Sequence, residues 1–254
     1  MKLTVVVCAF NERETIETVL DRIQTVDFGP NWSFEVLVVD NCSTDGTREI
    51  LRSREWPHTR VLFNSENLGK GGSIRRAISE MTGDYMVIQD ADLEYHPNQL
   101  PILLEKAIET GAGGVLGSRV LGGEAHYHYF HAYLGVRAMS WLTNILYGSR
   151  LTDVGTAIKL VSAEALQRLN LVGNGFDLDF ELVNKLLLAG YEVLEVPLEY
   201  QPRTYAEGKK IRIWDGLFGM WIIVRDRIGL SPALKDATKA KAKMAQKKVA
   251  GEGK

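Results

Sequence analysis

Short apolar runs, typical of buried strands, alternate along the chain with longer segments in which apolar residues recur every three or four positions, as in amphipathic helices. The predicted strands are residues 3–10, 35–39, 60–63, 85–88, 114–118, 157–162 and 191–196. The predicted helices are residues 15–26, 44–54, 71–81, 98–110, 135–147, 179–189 and 213–228. Ser43 or Thr44 is the predicted N-terminal cap of the second helix. The alternation predicts an α/β fold, in which helices flank a mostly parallel central sheet.

The regular alternation weakens after Arg119, where residues 121–133 are rich in Gly, His and Tyr and predict a long loop. The later elements continue the same pattern, so residues 1–229 are predicted to form one domain. Residues 230–254 are rich in Lys and Ala and predict a frayed helix or a flexible tail.

The helix predicted at residues 213–228 carries two tryptophans and several aliphatic residues among charged ones. It could pack its apolar side into the core, or it could lie in a membrane interface as an amphipathic helix. The lysines of the tail could add attraction to an anionic membrane surface. Both interpretations of the helix stay open at the level of the sequence.

Composition limits the functional classes. The chain has 254 residues, 45% of them hydrophobic and 24% charged, which is ordinary for a globular protein. Its formal net charge of -2 provides no global basic field, so a nucleic-acid partner is not expected. The two cysteines, Cys8 and Cys42, are too few for a disulfide framework, and we expect buried thiols in a cytoplasmic protein. Neither a targeting segment nor an apolar run long enough to span a bilayer is expected.

Three carboxylates, Asp90, Asp92 and Glu94, follow the apolar run at residues 85–88. A strand that ends in such a cluster places several negative charges at one edge of the sheet, where they repel one another. A divalent cation relieves this repulsion, and Mg²⁺ or Mn²⁺ takes oxygen ligands and bridges to substrate phosphates. The cluster therefore predicts a metal–diphosphate site, with a solvated turn as the simpler alternative.

Three further polar segments lie at residues 8–12, 40–46 and 67–72. In open α/β sheets ligands bind beyond the carboxyl ends of the strands, so we expect these segments to converge there. Lys70, next to glycines at a helix start, suits an anionic ligand, and Asp40 could accept a hydrogen bond from a nucleotide base. The simpler alternatives are helix capping by the acids of the second segment and an ordinary turn at the third.

The segments at residues 5–14, 38–47, 67–77, 83–95, 117–119 and 203–211 together resemble family 2 glycosyltransferases with the GT-A nucleotide-sugar fold. Within that family the pattern is most similar to polyprenyl (dolichyl) phosphate mannose and glucose synthases and their bacterial relatives. The matching segments cover most of residues 2–227 and are more specific for the fold than for donor and acceptor. Two departures are Cys8, where relatives have Pro, and residues 153–157, where relatives more often carry a further carboxylate.

The resemblance implies roles for individual residues. Asp92 would bind the metal together with Glu94, and Asp90 would contact the ribose. Arg119 and Arg203 would face the donor diphosphate and the acceptor phosphate, which agrees with the bidentate capture of phosphate by arginine. The implied nucleotide-sugar pocket consists of Ala9, Phe10, Glu12, Asp40, Lys70, Asp90 and Ala91, and the implied phosphate-binding residues are Arg203, Lys209 and Lys210. The alternative for this basic segment is a solvated turn.

The implied reaction is an inverting transfer of mannose or glucose, from GDP-mannose or UDP-glucose, to a polyprenyl phosphate, with peripheral association at the cytoplasmic face of a membrane. A phosphate acceptor is already anionic, whereas a saccharide or protein hydroxyl needs a carboxylate base. The candidate bases are Asp153, Asp179 and Glu181, with Asp179 the first to test as a catalytic residue. Asp179 and Glu181 could equally be ordinary acids at a helix N-terminus.

Three alternatives of other kinds stay open. His126, His128 and His131 could bind zinc, although an aromatic loop that orders on acceptor binding is expected instead. A sugar nucleotidyltransferase would bind similar ligands, but its Gly-rich loop should follow the first strand, where residues 9–12 read Ala-Phe-Asn-Glu. A non-catalytic membrane-associated scaffold would not need an intact set of acidic and basic site residues.

Overall fold

The computed structural model describes residues 1–121, 130–203 and 213–230. Its strands are β1 (Lys2–Ala9), β2 (Ser33–Asp40), β3 (Thr59–Phe63), β4 (Tyr85–Asp90), β5 (Gly114–Ser118), β6 (Lys159–Ser162) and β7 (Val193–Pro197). They form a 7-stranded sheet in the order β3-β2-β1-β4-β6-β5-β7. Strand β6 runs antiparallel to β4 and β5, and the other pairs are parallel. The predicted mostly parallel sheet is confirmed.

The helices are α1 (Ile16–Gln24), α2 (Thr47–Ser53), α3 (Gly69–Glu80), α4 (Leu100–Thr110), α5 (Phe130–Tyr147), α6 (Ala163–Arg168), α7 (Asp177–Leu188) and α8 (Ile213–Arg227). A 3-10 turn, Pro97–Gln99, precedes α4. All the predicted helices are present with shifted ends, and α6 is additional. Helix α6 has 6 residues, too few for an apolar period to stand out, and it starts where Ser162 accepts a hydrogen bond from the Ala165 N–H.

Two local predictions were wrong. Neither Ser43 nor Thr44 caps α2, because the helix begins after Gly46, which adopts a φ of 107°. The Ser43 hydroxyl instead accepts a hydrogen bond from the Asn11 N–H at 3.0 Å. The loop predicted through residue 133 ends earlier, because α5 already begins at Phe130.

Alternate side chains of the central strands pack into separate layers. Val5 and Val7 of β1 face the layer that contains Leu20 of α1 and Leu103 of α4. Val6 faces the other layer, which contains side chains of α3, α5, α7 and α8. Both faces of the sheet are therefore covered, as expected for parallel strands.

The register of the central strands delivers acidic residues to both sides of the end of β1. Ala9 pairs with Asp40 at the end of β2, and Cys8 pairs with Asp90 at the end of β4. Cys8 and Cys42 are free cysteines. Both residues are partly accessible, whereas the sequence predicted buried thiols. The thiol of Cys8 faces the interior, and burial raises its pKa to about 12.

Helix α8 packs against α5 and α7 and buries Ile222 and Ile223. Another side of the same helix leaves Leu217, Phe218 and Trp221 half exposed. Core packing therefore accounts for one side of the helix, and a membrane contact of the exposed side stays a prediction. In the parts of the chain that the structure describes, no helix combines the length and the apolar content needed to cross a bilayer.

Several predicted features lie outside the described residues. These are Lys209, Lys210, His126, His128, the side chain of His131 and the tail from residue 231 onward. The division into a domain of residues 1–229 and a flexible tail stays a prediction.

Candidate active site

The first group of predicted nucleotide-binding residues lies where β1 and β2 end. Asp40 is fully buried, and its Oδ2 lies 2.7 Å from Nε of Arg48. Its other oxygen accepts a hydrogen bond from the Ser43 N–H at 3.3 Å. The next residue, Asn41, donates its side-chain amide to Asn67 at 2.7 Å. The polar groups at the floor of the predicted pocket are therefore oriented before a ligand binds.

The loop after β1 is tied to the loop after β2. Asn11 adopts a φ of 55°, and its side-chain oxygen accepts a hydrogen bond from the Thr44 N–H at 2.9 Å. The Glu12 N–H donates to the Thr47 hydroxyl at 3.0 Å. Of the other predicted pocket residues in this loop, Ala9 is buried and Phe10 is partly exposed. These bonds fix the backbone that presents the Glu12 carboxylate.

Arg203 lies across three of the predicted carboxylates. Its guanidinium nitrogens are 2.8 Å from Asp92, 3.5 Å from Glu12 and 3.8 Å from Glu94. Its backbone N–H also donates to Glu94 at 2.9 Å, and the Tyr200 hydroxyl donates to the second oxygen of Glu94 at 3.1 Å. The structure thus brings Arg203 to the acidic cluster although 111 positions separate it from Asp92.

Asp92 carries the strongest electrostatic conflict of this cluster. Burial, together with the negative charges of Asp90 and Glu94, raises the pKa of Asp92 to about 7, although Arg203 acts in the opposite direction. Ala91, between the two aspartates, is buried. Such a cluster gains from any cation that enters it.

The donor chemistry of Asp92 and Glu94 fits a hard divalent ion. Mg²⁺ characteristically takes one or two carboxylates and completes its coordination with water and substrate phosphates. Within the described ranges, no group of three His, Cys, Asp or Glu side chains is arranged to hold a metal by itself. The two carboxylates therefore suit an ion that arrives together with a phosphate ligand.

Lys70, in the first turn of α3, contacts two carboxylates. Its Nζ is 2.9 Å from Asp90 and 3.5 Å from Asp179. Burial acts against its charge, but the two carboxylates outweigh burial and raise the pKa of Lys70. The other oxygen of Asp179 lies 3.3 Å from Nζ of Lys159. Burial likewise opposes the ionisation of Asp179, but the two lysines outweigh it and lower the pKa of Asp179.

Arg119 forms a two-point ion pair with Asp153. Its Nε lies 2.7 Å from one carboxylate oxygen and its Nη2 lies 2.8 Å from the other. The guanidinium also lies over the ring of Tyr200, 5.2 Å from the centroid. Because Tyr200 binds Glu94, this ring connects Arg119 to the acidic cluster.

The three candidate bases are all engaged by cations. Asp153 is fully buried against Arg119, and Asp179 lies between two lysines. Glu181 pairs with Lys185 and also accepts hydrogen bonds from backbone N–H groups that precede α7. A carboxylate whose oxygens are already occupied by such partners is not free to take the proton of a substrate hydroxyl.

Sequence reasoning missed Lys159, Arg48 and Tyr200. Lys159 had a usable signal, because it is the charged residue within the otherwise apolar strand predicted at 157–162, and buried lysines require a partner. Arg48 and Tyr200 had none, since an arginine on a helix and a tyrosine in a loop are ordinary at a protein surface.

A sequence profile described as glycosyl transferase family 2 matches residues 4–168. The chain belongs to this family. The undecaprenyl-phosphate mannosyltransferase of Micrococcus luteus is 31% identical over 91% of this chain and 100% of its own length. The dolichol-phosphate mannosyltransferase of Pyrococcus furiosus is 29% identical over 82% of this chain and 59% of its own length. Glycosyltransferase AglD of Haloferax volcanii is 29% identical, and the match covers 34% of the length of AglD.

Solved structures share the fold of this family 2 glycosyltransferase. Glucosyl-3-phosphoglycerate synthase from Mycobacterium tuberculosis, solved with Mn²⁺, UDP and phosphoglyceric acid, superposes with a TM-score of 0.65 at 23% identity, over 90% of this chain and 78% of that one. TarS from S. aureus, solved with UDP-GlcNAc, gives a TM-score of 0.57 at 18% identity, over 88% and 65% of the two chains. The predicted GT-A fold and glycosyltransferase class are confirmed.

Proposed function

We propose that this glycosyltransferase moves a hexose from a nucleotide diphosphate sugar to a polyprenyl phosphate at a membrane surface, with inversion at the anomeric carbon. One observation carries the proposal: Asp153, Asp179 and Glu181 already have cationic partners. An acceptor hydroxyl would need one of them as its base, whereas a phosphate acceptor is anionic near pH 7. The acceptor therefore supplies its own nucleophilic charge.

The names of two relatives support the same acceptor class. One is called an undecaprenyl-phosphate mannosyltransferase and the other a dolichol-phosphate mannosyltransferase. We therefore take mannose as the favoured sugar and GDP-mannose as the first donor to test. UDP-glucose is the second donor, because a structural neighbour, a glucosyl-3-phosphoglycerate synthase, was solved with UDP.

Donor binding is assigned to the two aspartates at the strand ends. Asp40 would accept from the nucleotide base, since it is buried and held by Arg48. Asp90 would bind the ribose hydroxyls, because it lies beside Lys70 at the end of β4. Lys70 would face the donor phosphates, for which the N-terminus of α3 is a favourable place.

The transfer step places negative charge on the leaving diphosphate while positive charge develops on the sugar. Arg119 and Arg203 are proposed to bind phosphate oxygens of the donor and the acceptor, and Lys209 and Lys210 are proposed for the acceptor phosphate. A Mg²⁺ or Mn²⁺ ion held by Asp92 and Glu94 would neutralise the leaving diphosphate when it is bound. The acceptor phosphate attacks the anomeric carbon on the side opposite the leaving group.

An apolar surface on two helices supports a lipid acceptor. Trp141 and Ile145 of α5 and Trp221 of α8 are half exposed or more. The two helices pack against each other, and they follow the chain segments that begin after Arg119 and Arg203. In this proposal the exposed apolar side chains of α5 and α8 face the membrane and the lipid tail of the acceptor.

The proposal is tested by donor turnover with purified protein and Mn²⁺. Release of nucleoside diphosphate from GDP-mannose or UDP-glucose is measured with and without a short polyprenyl phosphate, for the natural protein and for Asp92→Asn. We expect release that needs both metal and lipid phosphate and is at least a hundredfold slower in Asp92→Asn. Donor turnover that polyprenyl phosphate does not stimulate would contradict the proposed acceptor and redirect the search to hydroxyl acceptors.

A further inference from the structure

Lys159 is a lysine in the interior of the sheet, with no exposed surface. Its ammonium donates to the carbonyl of Thr156 and lies 3.3 Å from Oδ1 of Asp179. Burial lowers the pKa of Lys159. A buried charge without a partner is costly. We therefore expect the ammonium of Lys159 to be kept at this place because it pairs with the carboxylate of Asp179.

Asp179 is shared between two lysines. Its Oδ2 lies 3.5 Å from Nζ of Lys70, which in turn lies 2.9 Å from Asp90. Lys159, Asp179, Lys70 and Asp90 thus form a row of alternating charges, contributed by β6, α7, α3 and β4. The two positive and two negative charges cancel, and the row ends at the proposed ribose-binding aspartate.

We propose that Lys159 is a positioning residue for donor binding: by neutralising Asp179, it leaves the charge of Lys70 available to Asp90 and to the donor phosphates. The inference rests on the proposed function, because it assumes that a nucleotide donor binds beside Lys70. Without Lys159, Lys70 becomes the cation that balances Asp179, and the donor site gains one net negative charge. Such a site repels a nucleoside diphosphate.

Lys185 provides a matched control. It lies on α7, it is only 5% exposed, and it pairs with the buried Glu181. The remaining bonds of Glu181 go to the backbone N–H groups of Val172 and Gly173. Loss of this lysine therefore disturbs a buried ion pair of similar kind, while Glu181 keeps its bonds to the backbone of the loop that contacts α3 and has no direct contact with Lys70 in the described residues.

The test is calorimetric binding of GDP and of UDP in the presence of Mn²⁺. The proteins are the natural chain, Lys159→Met, Lys159→Gln, Lys185→Met and the double variant Lys159→Met/Asp179→Asn. We expect Lys159→Met to bind the nucleotide about tenfold more weakly, and Lys159→Gln, which keeps a hydrogen-bond donor but not the charge, to show the same loss. Lys185→Met should unfold at a lower temperature but keep its nucleotide affinity within about twofold.

The double variant separates a charge effect from a packing effect. Because it removes one positive and one negative charge, the row is again neutral, and we expect it to recover most of the affinity that Lys159→Met loses. A double variant as weak as Lys159→Met would contradict the inference, as would unchanged affinity in both single variants of Lys159. If the natural protein bound neither nucleotide, the proposed function would fail and this inference with it.

Discussion

Glu35 is a buried carboxylate that stays charged inside the sheet. Its Oε1 accepts hydrogen bonds from the Thr4 hydroxyl at 2.7 Å and from the Thr82 N–H at 2.7 Å. Burial opposes its ionisation, but these bonds and one from Lys2 outweigh burial and lower the pKa of Glu35. A carboxyl whose pKa is lowered by folding stabilises the folded state above the pKa of the unfolded chain, and that stabilisation is lost as the pH falls.

Glu35→Gln should therefore be less stable than the natural protein at pH 7, by about 1–2 kcal/mol, because charged hydrogen bonds are replaced by weaker ones. The difference should shrink as the pH falls from the pKa of an unfolded glutamate, about 4.3, through the lowered pKa of folded Glu35, because the natural carboxyl then becomes neutral as well. Urea unfolding at pH 7 and at the acidic pH measures the difference in the free energy of unfolding between the two proteins. Glu80→Gln is the control, since Glu80 is an exposed residue 3.6 Å from Arg60, and a pH-independent deficit in Glu35→Gln would contradict this explanation.

Gly69 shows why one glycine of the site cannot be replaced. It has a φ of 74°, and a Cβ there would lie 2.2 Å from the carbonyl oxygen of Asn174. The adjacent turn is held by a hydrogen bond from the Gly72 N–H to the same oxygen at 3.0 Å. The close approach fixes the start of α3, and therefore Lys70, against the loop that precedes α7.

Gly69→Ala should destabilise the protein more than Gly111→Ala does. Gly111 has a similar φ of 69° but nothing within 4 Å of an added Cβ. Gly111→Ala should therefore lower the free energy of unfolding by about 1–2 kcal/mol, because an alanine must adopt a positive φ. Gly69→Ala should lower it by a further steric cost of about 1–3 kcal/mol. Thermal unfolding of the two variants measures the difference, and equal losses would show that the contact with Asn174 is relaxed without cost.

The segment from β7 to residue 203 is the element that completes the acidic cluster. It brings Tyr200 to Glu94 and Arg203 to Asp92, so an arginine partly offsets the negative charge where a divalent ion would also bind. A divalent ion held by Asp92 and Glu94 would compete with the Arg203 guanidinium for these carboxylates, and Arg203 would then be available to phosphate oxygens. We therefore expect metal binding to be coupled to the position of this segment.

Arg203→Ala should bind Mn²⁺ more tightly than the natural protein when no nucleotide is present, by about tenfold, because a competing cation is removed. Electron paramagnetic resonance of free Mn²⁺ measures this affinity. Turnover should nevertheless fall, because the phosphate contact is lost as well. Arg54→Ala, which removes an exposed arginine paired with Asp21, is the control and should change neither quantity; weaker Mn²⁺ binding by Arg203→Ala would contradict the coupling.

The elements themselves were largely predictable from the sequence. The apolar runs and helical spacings located the seven strands of the sheet and all helices except α6, because burial on both faces leaves a strong pattern. The carboxylates at the end of β4 were found in the same way. The cations that pair with the carboxylates were not predicted. Arg203 contacts Asp92 and Lys159 contacts Asp179 only through the tertiary fold, which local sequence spacing does not encode.

At the scale of the whole molecule, the structure combines a polar site with exposed apolar side chains. The carboxyl ends of β1, β2 and β4 carry the polar site, and α5 and α8 carry exposed apolar side chains. An enzyme that joins a water-soluble donor to a lipid phosphate needs both kinds of surface near each other. The proposed function at a membrane surface uses both features.

The double variant Trp141→Glu/Trp221→Glu should bind anionic phospholipid vesicles at least tenfold more weakly than the natural protein. The two tryptophans are 66% and 50% exposed, and interfacial tryptophan contributes strongly to membrane partitioning. Vesicle co-sedimentation measures the effect. Ile108→Glu on α4 is the control, since Ile108 is 45% exposed on a different helix, and an equal loss in that variant would contradict a role specific to α5 and α8.

The most direct test of the central claim compares two acceptors that differ only in the phosphate. Purified protein with Mn²⁺ and GDP-mannose, or UDP-glucose, is supplied either with a polyprenyl phosphate or with the polyprenol of the same chain length, and the glycolipid product is measured. Because the candidate bases are held by Arg119, Lys70, Lys159 and Lys185, we expect product from the phosphate and at least a hundredfold less from the alcohol. Comparable transfer to the polyprenol would show that a protein carboxylate acts as a base, and would contradict the account.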